Sequence, residues 1–123
     1  MISITNQKGG VGKTTSAINI AYFLSKMGKR VLLLDFDPQG NATSGLGVDK
    51  NELNLTMADV VAGEAALKDV ILETEYKGLS LAPATPVLAN TEVELANVQG
   101  RFTRLKTALE TVREDYDYVI LDS

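Results

Sequence analysis

The sequence predicts an α/β fold built on a parallel sheet, and three observations carry that prediction. Two runs, "RVLLLDF" (residues 30–36) and "DYVILDS" (117–123), are apolar without alternation, as strands buried on both faces are. Between the strand-like runs lie segments with apolar residues at helical spacing. A glycine-rich turn joins the first strand-like run to the first helical one. Strands alternating with helices make a parallel sheet wound by right-handed crossovers.

Each element can be justified in order. Residues 2–5 ("ISIT") form a short β-rich run ending at the glycine loop. From Thr14 onward, Ala17, Ile20, Ala21, Leu24 and Met27 recur on one helix face. Gly28 supplies a left-handed cap, with Lys26, Lys29 and Arg30 near the negative helix end. The second strand follows at 30–36. A polar, glycine-rich segment from 37 to 54 ("DPQGNATSGLGVDKNELN") reads as a functional loop or short turn. Thr56 and Asp59 have capping-box spacing and open a short helix at 57–63. Residues 65–72 ("AALKDVIL") read as another short helix. "LSLAPA" (79–84) is the third strand, closed by Pro83 and Pro86, and 91–99 has only a slight helical preference. Phe102, Leu105, Leu109, Val112 and Tyr116 form one helical stripe before the fourth strand at 117–122.

With 123 residues, 45% hydrophobic and 23% charged, the chain has the composition of one domain that buries roughly two thirds of its unfolded surface. Its 12 basic and 16 acidic residues give a net charge of -4, which gives no support to a nucleic-acid footprint in this segment. The absence of Cys and His excludes disulfides, Cys/His zinc sites, thiolate-held iron–sulfur clusters and histidine acid–base chemistry within these residues. No run approaches the roughly 20 apolar residues of a membrane span. No basic segment with an apolar core marks a secretory signal. A soluble intracellular protein is the expectation.

Residues 6–15, "NQKGGVGKTT", sit between strand and helix. The pattern G-x-x-x-x-G-K-[ST] asks for glycine where this chain has Gln7; the rest fits. Gly12, Lys13 and Thr14 lie at the turn into the helix, where successive N–H groups and the positive helix end form an anion nest. Gly9, Gly10 and Gly12 let the backbone curl around phosphate where a β-carbon would obstruct it. Lys13 then reaches the β- and γ-phosphates, the Thr14 hydroxyl binds Mg2+, and Thr15 adds a contact to the α-phosphate. Lys8 has no place in that pattern. Taken alone, it is a solvated loop lysine.

Asp35 and Asp37 fall at the carboxyl end of the second strand, the edge where open α/β sheets bind ligands. If the strand continues that far, alternation turns both carboxylates to one side, and Pro38 keeps Asp37 extended. On composition alone the segment equally suits a solvated turn. The hydrophobic strand "YDYVILDS" delivers Asp122 beside the phosphate loop, where it suits Mg2+ held through water.

"KGGVGKTT" resembles the deviant Walker A motif of the ParA/MinD superfamily, in which a lysine precedes paired glycines. "LLLDFDPQGNATSGLG", "LAPATPVLANTEVEL" and "YDYVILDS" follow in ParA/Soj order. The resemblance implies a P-loop NTPase fold with a phosphate loop at 6–15, a switch I-like segment at 35–47 and a Walker B strand at 117–122. It covers roughly the first half of the family domain, so the domain is incomplete over residues 1–123. It implies ATP bound by Lys8, Gly9, Gly10, Val11, Gly12, Lys13, Thr14 and Thr15. It makes Lys8 a trans charge on phosphate held by a partner protomer, where a cation at developing phosphoryl charge acts like an arginine finger. Asp37 is implied to orient the attacking water, and Asp35 to support a Mg2+ shell shared with Thr14 and Asp122. In the family sheet the phosphate-loop strand is central. Here its second side lacks a neighbour, so self-association or poor solubility is expected.

The resemblance implies a cytoplasmic, nucleoid-associated ATPase of chromosome or plasmid segregation. ATP drives a homodimer, the dimer binds DNA non-specifically, and a ParB-type partner stimulates hydrolysis; DNA and ParB come from the family alone. No extension precedes the first strand, so a variant with an added helix-turn-helix domain is not expected. MinD-like membrane ATPases usually continue switch I without "PQGN", so residues 38–41 favour ParA and no membrane partner is expected. An iron–sulfur reductase of the nitrogenase iron-protein kind needs cluster cysteines, and there are none. A MinD-like membrane-associated ATPase and a non-catalytic nucleotide-binding unit are the remaining alternatives.

Overall fold

The computed structural model describes residues 2–6, 11–37, 39–87 and 98–122, with the side chains of 2–6, 11–13 and 98–102 excepted. Strand β1 (Ile2–Asn6) is followed by α1 (Val11–Lys26), β2 (Val31–Asp35), α2 (Asn41–Gly45) and a 3-10 turn at Lys50–Glu52. Then come α3 (Met57–Val61), α4 (Leu67–Val70), β3 (Leu72–Glu73), β4 (Leu79–Ala82), α5 (Val98–Glu110) and β5 (Tyr118–Asp122). The sheet order is β1-β5-β2-β4-β3. All pairings are parallel except β3 with β4, which is antiparallel. Strand β5 is therefore inserted between the first two strands of the sequence. Among the described strands β1 has one neighbour, as the resemblance implies.

Alternation along the strands sorts side chains to two faces. Val31, Leu33 and Ile120 pack under α1 and α2 with Ala17, Ala21 and Ala42. Leu32, Leu34, Phe36 and Val119 pack under α3, α4 and α5. Every residue of β2 is buried, which is why its sequence shows no alternation. Among the described residues no helix is long and apolar enough to cross a membrane.

Local chemistry explains the element ends. At the end of α1, Gly28 takes φ 86°, Lys29 N–H donates to Leu24 O at 3.2 Å and Gly28 N–H to Ser25 O at 3.0 Å. That is a Schellman closure around the expected glycine cap. Helix α3 opens with the expected capping box: Thr56 Oγ1 accepts from Ala58 N–H at 3.2 Å, and Asp59 Oδ2 from Thr56 N–H at 2.8 Å. Leu105 and Val112 of the sequence stripe are buried, and Leu109 and Tyr116 pack against the same cluster. The stripe outlasts the helix, which ends at Glu110.

Three expectations are corrected. The helix expected over 65–72 covers only Leu67–Val70, because its N-cap Ala66 offers no capping side chain and Ile71 turns extended. Leu72 and Glu73 instead pair with Leu81 and Ser80 as an antiparallel edge, so "LSLAPA" holds the fourth strand rather than the third. The polar segment 37–54 is not loop throughout but contains α2 and the 3-10 turn. The slight helical preference of 91–99 falls largely on 91–97, outside the described residues.

Candidate functional site

The carboxyl ends of three strands meet in register, Asn6 beside Asp122 and Asp122 beside Asp35. Residues in parallel register share a face, so Asp35 and Asp122 both turn toward the α1 side. Phe36 N–H donates to Asp122 O at 2.8 Å and carries the pairing one residue past β2. Both aspartates are fully buried. In the first turn of α1, buried Thr14 donates its hydroxyl to Asp122 Oδ2 at 2.9 Å. The helix start and the last strand, 108 residues apart, are thus joined at one point.

Asp35 is held by the segment that follows it. Its Oδ2 accepts from Thr43 N–H at 2.9 Å and from the Thr43 hydroxyl at 2.7 Å, and its Oδ1 from Asp37 N–H at 3.2 Å. Burial pushes the Asp35 carboxyl up from 3.8 to about 6. The Thr43 and Asp37 hydrogen bonds pull against that rise, and the Asp122 charge adds to it. A carboxylate displaced this far, beside a second one at a ligand-binding edge, is the pattern of a functional site.

The strand ends at Asp35, so alternation does not set the direction of Asp37, contrary to the expectation from an extended strand. A turn sets it instead. Asp37 Oδ1 accepts from Gln39 N–H at 3.0 Å, and Asp37 O accepts from Gly40 N–H at 2.8 Å. Gly40 has φ 62°, and a β-carbon there would stand 2.6 Å from Ala84 O, so only glycine fits. Lys50 Nζ closes the segment from outside with a 2.7 Å bond to Gln39 O. Asp37 itself is half-buried.

Lys8, Gly9 and Gly10 lie outside the described residues, as does Pro38. Val11, Gly12 and Lys13 form the start of α1, while their side chains are outside the description. Thr15 is exposed beside Thr14. The structure therefore brings Thr14, Asp35 and Asp122 together, with Asp37 tied to Asp35. Thr43 was not foreseen. No sequence signal marks it, because a hydroxyl eight residues after an aspartate has meaning only once the chain turns back.

A hydroxyl and carboxylate oxygens are hard donors, the set Mg2+ prefers. Among the described residues there is no group of three or more His, Cys, Asp or Glu side chains placed to hold a metal ion by themselves. Mg2+ characteristically takes one or two carboxylates and completes its shell with water and substrate phosphate, so the donor set fits it. A cavity of about 650 Å³ between Tyr22, Lys26, Tyr76 and Gly78 lies at the opposite ends of the strands, away from these carboxylates.

Comparison with known proteins shows the family and the fold. The AAA_31 family, an AAA domain, matches residues 1–123. The chain belongs to that family. It is 50% identical over 122 residues to the sporulation initiation inhibitor protein Soj of Bacillus subtilis, a match covering 99% of this chain and 48% of Soj. It is 46% identical over 124 residues to the chromosome partitioning protein ParA of Caulobacter vibrioides, covering 99% of this chain and 46% of that protein. Among solved structures, cobyrinic acid a,c-diamide synthase from Mycobacterium smegmatis, with bound ATP analog and magnesium, superposes with a TM-score of 0.91 at 39% identity. That match covers 99% of this chain and 50% of the other. The chain spans about half the length of the relatives it matches, and its family is that of ParA and Soj.

Proposed function

We propose that this chain is the ATP-binding unit of a ParA/Soj-type partitioning ATPase. The observation that supports it most is the Thr14–Asp122 hydrogen bond, which sets a phosphate-loop hydroxyl against a Walker B-type carboxylate at a ligand-binding sheet edge. In this reading the loop from Lys8 to Thr15 cradles the phosphates and Lys13 neutralises the β- and γ-phosphates. Thr14 and Asp122 hold Mg2+, with Asp35 supporting them from the next strand. When bound, Mg2+ supplies positive charge to the phosphate oxygens. Asp37 orients the attacking water, and Lys8 reaches phosphate bound by a partner protomer.

The same reading extends to the whole protein. ATP held between two protomers drives dimerisation, the dimer binds DNA non-specifically on the nucleoid, and a ParB-type protein stimulates hydrolysis during chromosome or plasmid partition. The name of the Caulobacter vibrioides relative, chromosome partitioning protein ParA, supports the partitioning role.

The test is calorimetric titration of Mg-ATP with parallel phosphate release. Wild type binds and turns over, Lys13→Ala loses binding, and Asp37→Ala keeps binding but stops turnover. Undiminished binding by Lys13→Ala overturns the reading. Binding without turnover by wild type replaces it with a non-catalytic nucleotide-binding unit.

A further inference from the structure

We propose that Thr43 is a positioning residue, whose hydroxyl clasps Asp35 to the 83–84 turn and thereby fixes the segment that carries Asp37. The proposal rests on the reading of Asp37 given above. Thr43 and Asp35 are both fully buried. The hydroxyl donates to Asp35 Oδ2 at 2.7 Å and accepts from Ala84 N–H at 3.0 Å, so its donor and an acceptor position are both in use. Three chain segments converge on this one oxygen: the end of β2, the middle of α2 and the turn after β4.

The reach to Asp37 runs through the other oxygen of the same carboxylate. Asp35 Oδ2 takes both Thr43 donors, while Oδ1 takes the N–H of Asp37. Fixing the plane of the Asp35 carboxylate therefore fixes where the Asp37 backbone hangs. Gly40 lies close against Ala84 O, the residue whose N–H Thr43 accepts, so the segment has a second seat on the same turn. Only a short hydroxyl side chain, which both donates and accepts, satisfies Asp35 and Ala84 together. Serine keeps that chemistry; valine keeps the shape and loses it. A loosened clasp leaves the phosphate loop and the Thr14–Asp122 bond in place, so its cost falls on the chemical step rather than on binding.

The experiment compares Thr43→Val, Thr43→Ser and wild type by Mg-ATP affinity, kcat and amide hydrogen exchange over residues 37–44. Thr43→Ala serves as a second probe that removes the hydroxyl without a second methyl. In Thr43→Val and Thr43→Ala, kcat is expected to fall about tenfold or more while affinity stays within about threefold. Exchange over 37–44 accelerates in both, and Thr43→Ser returns kcat and exchange to near wild type. Wild-type kcat and exchange in Thr43→Val overturn the proposal. So does a Thr43→Ser protein as impaired as Thr43→Val, which assigns the effect to the methyl group. If wild type binds ATP without turnover, the hydrolysis reading fails and exchange decides the clasp: acceleration rescued by serine supports it, and unchanged exchange overturns it.

Discussion

The two faces of the sheet are packed by different kinds of side chain. Under α1 and α2 the fully buried apolar contacts from the helices are small, with Ala17, Ala21 and Ala42 set against Val31, Leu33 and Ile120 and the larger Ile18 and Leu24 only partly buried. Under α3, α4 and α5 they are bulky, with Met57, Leu67 and Leu105 meeting Leu32, Leu34 and Phe36. Small residues let a helix backbone approach its support closely, and that closeness holds Thr14 over Asp122. Bulky residues remove more apolar area from water and contribute more to stability. One face sets the geometry of the site, and the other supplies much of the free energy that keeps it folded.

The comparison breaks first at Leu34, which is fully buried on the bulky face. Leu34→Ala is expected to cost about 3 kcal/mol in urea denaturation while the folded fraction keeps its Mg-ATP affinity. Lost affinity in folded protein would mean that the faces are not separable. A smaller effect is expected on the other face. Ala21→Leu should cost about 2 kcal/mol by overpacking, yet weaken nucleotide binding about tenfold by lifting α1. If calorimetry finds binding unchanged, close approach of α1 is not what positions the site.

Thr14→Val should cost about 1 kcal/mol of stability through the lost bond to Asp122. It should also abolish the gain in nucleotide affinity on adding Mg2+, read by titration with and without the metal. The smallest effect is a pH dependence of the protein alone. Because the folded carboxyl of Asp35 titrates at about 6 rather than 3.8, the folded state binds more protons than the unfolded state between those values. Its contribution is fully present below the lower value and is lost as pH rises through the upper one. Between pH 7 and 5, without nucleotide or Mg2+, wild type should gain about 1 kcal/mol over Asp35→Asn. A flat difference in denaturation midpoints would remove Asp35 as the titrating group.

Much of this was legible from residue order, for reasons that differ by element. β2 and β5 were readable because burial on two faces leaves an unbroken apolar run. The Thr56 capping box was readable because both partners lie within one turn. The edge strand at Leu72 and Glu73 was not, since two residues carry no periodicity and their pairing depends on β4. Helix α2 was hidden because "NATSG" has turn composition; its Thr43 N–H is satisfied by Asp35, outside the helix. At the site, Asp35 and Asp122 were legible as carboxylates at strand ends, whereas the direction of Asp37 is set by a turn that strand alternation does not foresee. The link from Thr43 to Ala84 spans 41 residues and arises only from the crossover.

The insertion of β5 between β1 and β2 has a consequence for the order of assembly. Strand β1 and its described partner β5 lie more than a hundred residues apart in the chain, so their pairing must close across that whole span. Such distant closure is slow because loop entropy is spent before any contact repays it. During that interval the loop has neither its supporting ladder nor Asp122. Ligand competence should therefore appear abruptly, when β5 docks beside β1.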